Sequence, residues 1–158
     1  MTEDDVLALY ERTVNELYRY ASRLTGGDRA WADELVQETY LAVLRKIRAG
    51  DDEAVDIGWL VVRCRHRFLD QLKSERRTRA RERRAADSPR VGDSGERAVD
   101  ALAEVSSEHR AVLVLRYVDD LSVVDVAKAM KRSVHATESL LARARTSLRL
   151  VLSQGVNR

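Results

Sequence analysis

The side chains able to do covalent or acid–base chemistry are few and scattered. His66, His109 and His135 fall in separate helical segments, beside basic or small polar residues. A lone histidine of this kind is a surface or capping residue more often than a catalyst. Glu34 and Glu38 stand one helical turn apart and share a face, without a histidine at matching spacing to complete a metal site. Cys64 is the sole cysteine. It excludes an internal disulfide framework and a cysteine-clustered zinc site, and its place on an apolar helix face predicts a buried, inert thiol. There is no Gly-rich phosphate loop, no His-Glu-x-x-His and no Gly-x-Ser-x-Gly. No catalytic residue, metal or cofactor is expected, and the chain reads as something other than an enzyme.

Charge is where the sequence is informative. Residues 1–60 carry 7 basic and 13 acidic side chains, residues 61–97 carry 12 and 6, and residues 98–158 carry 9 and 7. Within Val61–Arg84 there are ten basic residues and three acidic ones. An acidic stretch followed by a basic one predicts a surface for a basic partner and another for a polyanion, unless both are simply solvated helix faces.

The elements that must carry these charges are helices. The chain has 158 residues, 44% hydrophobic and 34% charged, with one proline. That affords a core and argues against a turn-rich all-β fold. Thr2 is placed to cap a first helix with Val6, Tyr10, Val14, Leu17, Ala21 and Leu24 inward, ended by Gly26-Gly27. Asp28 caps a second, with Ala32, Leu35, Val36, Thr39, Val43, Leu44 and Ile47 inward. Residues 51–55 form a loop, and Asp56 caps a third helix carrying Leu60, Val61, Cys64, Phe68, Leu69 and Leu72. After Leu72 the apolar period stops, and residues 79–95 read as a flexible linker. Further helices begin near Glu96, at Ser106 and at Ser122. Ser133 caps the last, with Thr137, Leu140, Leu141, Ala144, Leu148 and Val151 inward. The predicted fold is therefore all-α: a helical domain over 1–78, a linker over 79–95 and a second helical domain over 96–158. No apolar run approaches the roughly 18–20 residues of a membrane span. The acidic start lacks a signal region, so a cytoplasmic protein is expected.

Ser122 to Leu141 has the proportions of a helix-turn-helix, or of an ordinary helical hairpin. As a DNA reader it would present Ser133, His135, Ala136, Thr137, Glu138 and Arg143 to the major groove or its phosphates.

With these residues in view, the chain resembles the extracytoplasmic-function (group four) sigma factors of bacterial RNA polymerase. Leu24-Thr-Gly-Gly-Asp28, Asp33-Glu34 and Leu35-Val-Gln-Glu-Thr-Tyr40 are similar to sigma region two. Trp59-Leu-Val-Val-Arg-Cys-Arg65 with Asp70 resembles its promoter-melting part. Ser106–Arg116, Leu121–Ala127 and Ala142-Arg-Ala-Arg145 resemble region four. The resemblance implies two helical domains and two main partners. These are core RNA polymerase, through the clamp coiled coil of its largest subunit and its flap, and promoter DNA. An anti-sigma protein is implied as a controlling partner, and no small-molecule substrate. It places polymerase contacts at Glu34, Leu35, Gln37 and Glu38, with simple packing as the alternative for Leu35. It places minus-ten contacts at Trp59, Arg63, Arg65, His66, Arg67, Arg76 and Arg77, with packing as the alternative for Trp59. The loop over 50–56 would take an extruded base, and the last helix would read the minus-thirty-five element. Departures from the family are His66 for an asparagine, Lys131 for the turn glycine, Arg132 for an apolar residue, and Glu138 and Leu140 for basic ones. A stand-alone helix-turn-helix regulator and a protein-interaction module remain as other readings.

Overall fold

The computed structural model describes residues 1–75 and 96–156. The expected linker over 79–95, together with Arg76 and Arg77, lies outside the described residues. Among those described, every regular element is helical. The first unit comprises α1 (Glu3–Thr25), α2 (Arg29–Arg48) and α3 (Ile57–Glu75). The second comprises α4 (Glu96–Glu104), α5 (Ser107–Leu113) continued by a π-helical turn over Val114–Val118, α6 (Val123–Met130) and α7 (Val134–Val156).

Local chemistry fixes where these helices start and stop. Thr2 and Asp5 close a reciprocal capping box. The Thr2 amide donates to Asp5 Oδ2 at 2.7 Å, and the Asp5 amide donates to Thr2 Oγ1 at 3.3 Å. The box satisfies donors that a helix start otherwise leaves unpaired. Asp28 accepts from the Trp31 amide at 3.1 Å and Asp56 from the Trp59 amide at 2.8 Å. Ser106, Ser122 and Ser133 do the same for His109, Asp125 and Ala136. Gly26 ends α1 at φ 65°, where an L side chain is strained.

α1, α2 and α3 pack on one another around Leu17, Leu24, Leu35, Val43, Leu60 and Phe68, all fully buried. The Trp31 ring lies on Phe68 with centroids 5.1 Å apart. The predicted α1 stripe is corrected at Tyr10, while Val6 and Val14 pack against the core as expected. Leu9 and Thr13 are buried there, whereas Tyr10 is 44% exposed. Thr13 turns inward because its hydroxyl is satisfied twice, by the Leu9 carbonyl at 2.6 Å and the Tyr40 hydroxyl at 2.8 Å. The predicted cores of α2, α3 and α7 hold.

The two units share one apolar cluster that runs from Leu17 and Phe68 to Val112, Leu115 and Val126. α1 meets α4 and α5, and α3 meets α5 and α6. The polar side of this joint centres on Arg110, only 5% exposed. Its Nε donates to the Leu24 carbonyl at 2.7 Å, Nη1 to the Leu102 carbonyl at 3.1 Å and Nη2 to Ser107 Oγ at 3.1 Å. A buried guanidinium is tolerable only when paired in this way. Gly26 is what lets it in. A Cβ at that position would meet Arg110 Nη1 at 2.4 Å and the Ala103 backbone at 2.9 Å. Gly26→Ala should therefore lower the stability of the whole chain by at least about 1–2 kcal/mol, through left-handed strain alone and more through the displaced arginine. Urea denaturation measures it, and an unchanged midpoint would contradict this role for Gly26.

Candidate functional site

Three surfaces gather the residues singled out in the sequence. On α2, Glu34 and Gln37 are exposed and Glu38 is half-buried, at the three- and four-residue spacings that share one helix face. Leu35 does not join them. It is fully buried in the first unit's core, so packing is its role and the expected polymerase contact at Leu35 is corrected. Glu34 is held from α3. Gln71 Nε2 donates to Glu34 Oε1 at 2.8 Å, and Trp31 Nε1 donates to Gln71 Oε1 at 2.6 Å. The sequence offered no sign of Gln71, because the contact spans 37 positions.

α3 divides its basic side chains between two faces. Arg63 and His66 are exposed, and Arg67 and Trp59 are half-buried. Arg65 turns the other way, toward the second unit. Its side chain is 14% exposed, and its Nη1 pairs with Asp119 Oδ2 at 3.3 Å. The Tyr20 hydroxyl donates to the same oxygen at 2.8 Å. Burial, and then the Asp119 charge, push the Tyr20 pKa well above its ordinary value. Ahead of α3, the loop over 51–56 is tied down by Lys46, whose Nζ lies 2.5 Å from Asp51 Oδ2 and 3.0 Å from Glu53 Oε2. The hydrogen bond from Lys46 holds the Asp51 carboxyl below its usual range. Cys64, between Arg63 and Arg65, is buried, and burial pushes its thiol up to about 12.

The third surface is the start of α7. Ser133, His135, Glu138 and Arg143 are exposed and Ala136 is half-buried. Thr137 is fully buried, its hydroxyl bonded to the Ser133 carbonyl at 2.9 Å, so a DNA contact by Thr137 is corrected. Leu140 is 1% exposed and belongs to the core. It is a packing position, and the absence of a basic residue there takes nothing from the exposed face. Lys131 occupies the left-handed turn between α6 and α7 at φ 53°. Arg132 stays polar at a half-buried place by pairing with Glu108 of α5. Lys73, near the end of α3, lies beside Lys131, whose amine pushes the Lys73 pKa down.

Among the described residues, no group of three His, Cys, Asp or Glu side chains is placed to hold a metal. None of the described helices is long and apolar enough to cross a membrane. The geometry sets out an acidic patch on α2, basic side chains along α3, and a serine-capped start to α7. The placement of Leu35 is testable. Leu35→Ala should cost about 2–5 kcal/mol of stability, read by denaturant unfolding, as a buried leucine does. A loss confined to polymerase binding, with stability intact, would restore it as a contact residue.

Comparison with known proteins agrees with this geometry. The family description Sigma-70 region 2 matches residues 9–78, and Sigma-70, region 4 matches residues 96–148. The ECF RNA polymerase sigma factor SigL of Mycobacterium tuberculosis is 32% identical, over 96% of this chain and 91% of the relative. The ECF RNA polymerase sigma factor SigM of Bacillus subtilis is 26% identical, over 99% of each chain. In fold, the chain is similar to the sigma factor RpoE of Bartonella quintana, solved in complex with the anti-sigma factor NepR. That likeness has a TM-score of 0.59 at 21% identity, over 94% of this chain and 97% of that one. The chain belongs to the ECF family of RNA polymerase sigma factors.

Proposed function

We propose that the first unit, residues 1–78, docks on core RNA polymerase and opens the minus-ten element, while the second, residues 96–158, anchors the minus-thirty-five element. The chain directs polymerase to promoters, and the polymerase supplies the chemistry. One observation carries this division of labour: the two surfaces of the first unit are opposite in charge and lie on different helices. Glu34, Gln37 and Glu38 on α2 offer carboxylates and an amide to a basic partner. Arg63 and Arg67 on α3 offer cations, and His66 a polar ring, to a nucleic-acid backbone. The loop over 51–56, held by Lys46, is the place for an extruded base, whose unstacking costs a few kcal/mol. An anti-sigma protein, as in the RpoE–NepR complex, fits a chain whose two units can be held together from outside.

Promoter-dependent transcription by core polymerase with and without the purified chain tests the reading. A regulator acting alone would instead bind duplex DNA and give no new transcripts. Within that assay, Gln37→Lys with Glu38→Lys should weaken core binding by about tenfold or more, by placing like charges against a basic surface, and leave the fold intact. Arg65→Gln should spare core binding and impair opening. The reverse result would exchange the roles of α2 and α3.

Glu138 decides how the second unit reads DNA. It is exposed on the first turns of α7, where a carboxylate repels phosphate or accepts from cytosine N4. Ala136 beside it has no hydrogen-bonding head, which favours the first role. Glu138→Lys should then tighten binding to many sequences and steepen the salt dependence by about one unit of slope. Binding to promoter fragments at two salt concentrations checks it. A loss of roughly 1–3 kcal/mol confined to the native promoter would show that Glu138 reads a base.

A further inference from the structure

The guanidinium read above as a promoter contact is occupied from within the chain. Asp119 lies in the turn after α5, with its side chain 7% exposed, and the same Oδ2 receives Arg65 Nη1 and the Tyr20 hydroxyl. Its position depends on the π-helical turn over Val114–Val118, which closes with the Asp119 amide bonded to the Val114 carbonyl at 3.0 Å. A π turn inserts one residue into the helical register. It thereby rotates Asp119 by about 100° from where an uninterrupted helix would carry it. Asp120, the next residue, is almost wholly exposed and meets only Arg116, at 3.9 Å, among its ion pairs in the described residues.

We propose that Asp119 is an intramolecular competitor of promoter phosphate for Arg65, so that the free chain closes its second unit over part of its own minus-ten surface. A carboxylate and a backbone phosphate present the same chemistry to a guanidinium, an anionic pair of oxygens in a plane. Arg65 cannot serve both. Two features keep the clasp breakable. Arg65 Nε is buried with no hydrogen-bond partner among the described residues, so Asp119 satisfies the guanidinium only in part. Closure also sets the amines of Lys73 and Lys131 side by side, a repulsion that separating the units relieves. A polyanion meets both needs, whereas the closed chain meets neither.

The proposal rests on the reading that Arg65 touches promoter DNA, and the experiment separates the two. A labelled single strand carrying the minus-ten sequence is titrated with the full chain, without polymerase, and followed by fluorescence anisotropy. Asp119→Asn should tighten binding by about fivefold or more, the scale of an ordinary coupling between sites. Asp120→Asn makes the same change in net charge and should shift binding less than about twofold, the small effect of an exposed charge. In an Arg65→Gln background, Asp119→Asn should gain nothing. Tyr20→Phe loosens the clasp without altering charge and should give a smaller gain of the same sign. An Asp119→Asn chain that binds no better than wild type overturns the proposal. So does a gain that Asp120→Asn matches, or one that persists without Arg65. If Arg65→Gln leaves promoter opening by the holoenzyme intact, the assignment of Arg65 to DNA has failed instead.

Discussion

A carboxylate and two guanidiniums are taken out of water between the two helical units, and the rest of the arrangement follows from having to satisfy them. Burying an ionised group is costly unless it is paired and hydrogen-bonded. Asp119 is met by Tyr20 from α1 and Arg65 from α3, so its partners fix the second unit against two helices at once. Arg110 is met by carbonyls from the end of α1 and from α4, and Gly26 leaves it room. Apolar contact between Leu17, Phe68, Val112 and Leu115 gives the joint its area. That contact is non-directional, and the polar pairs give the joint its register.

The same residues tie architecture to function. α3 presents Arg63 and His66 outward while Arg65, two positions on, faces the second unit, as a helical repeat of 3.6 residues requires. One helix thus carries an outward row of basic side chains and a part of the domain joint. The acidic face of α2 is independent of that joint. Glu34 is steadied by Gln71 and Trp31, all within the first unit, so this acidic patch does not draw on the second unit.

What was legible in the sequence was what depends on near neighbours. Thr2, Asp28, Asp56, Ser106, Ser122 and Ser133 all cap as expected, because a cap reaches only three residues along the chain. Lys131 stands where the family has a turn glycine, and the left-handed conformation it adopts there is a local property of the turn. Reading faces was harder where a polar residue can satisfy itself. Thr13 goes inward because its hydroxyl returns to a carbonyl four residues back, and Thr137, expected inward and as a DNA contact, can be only the first for the same reason. Leu35 lies among carboxylates in sequence but is wholly buried in space. The pairs that join the units, Tyr20 with Asp119 across 99 positions and Arg65 with Asp119 across 54, leave no local trace. The π turn that aims Asp119 leaves none either.

The central claim is that these pairs hold the free chain closed, and the size of the molecule in solution tests it. A single compact body of this length has a radius of gyration near 15 Å. Two units moving independently of one another scatter as a distinctly larger particle. Small-angle X-ray scattering on the free chain should give a radius close to the compact value, rising on substitution of Asp119 by asparagine. A wild-type radius already at the expanded value, unchanged by that substitution, would contradict the account.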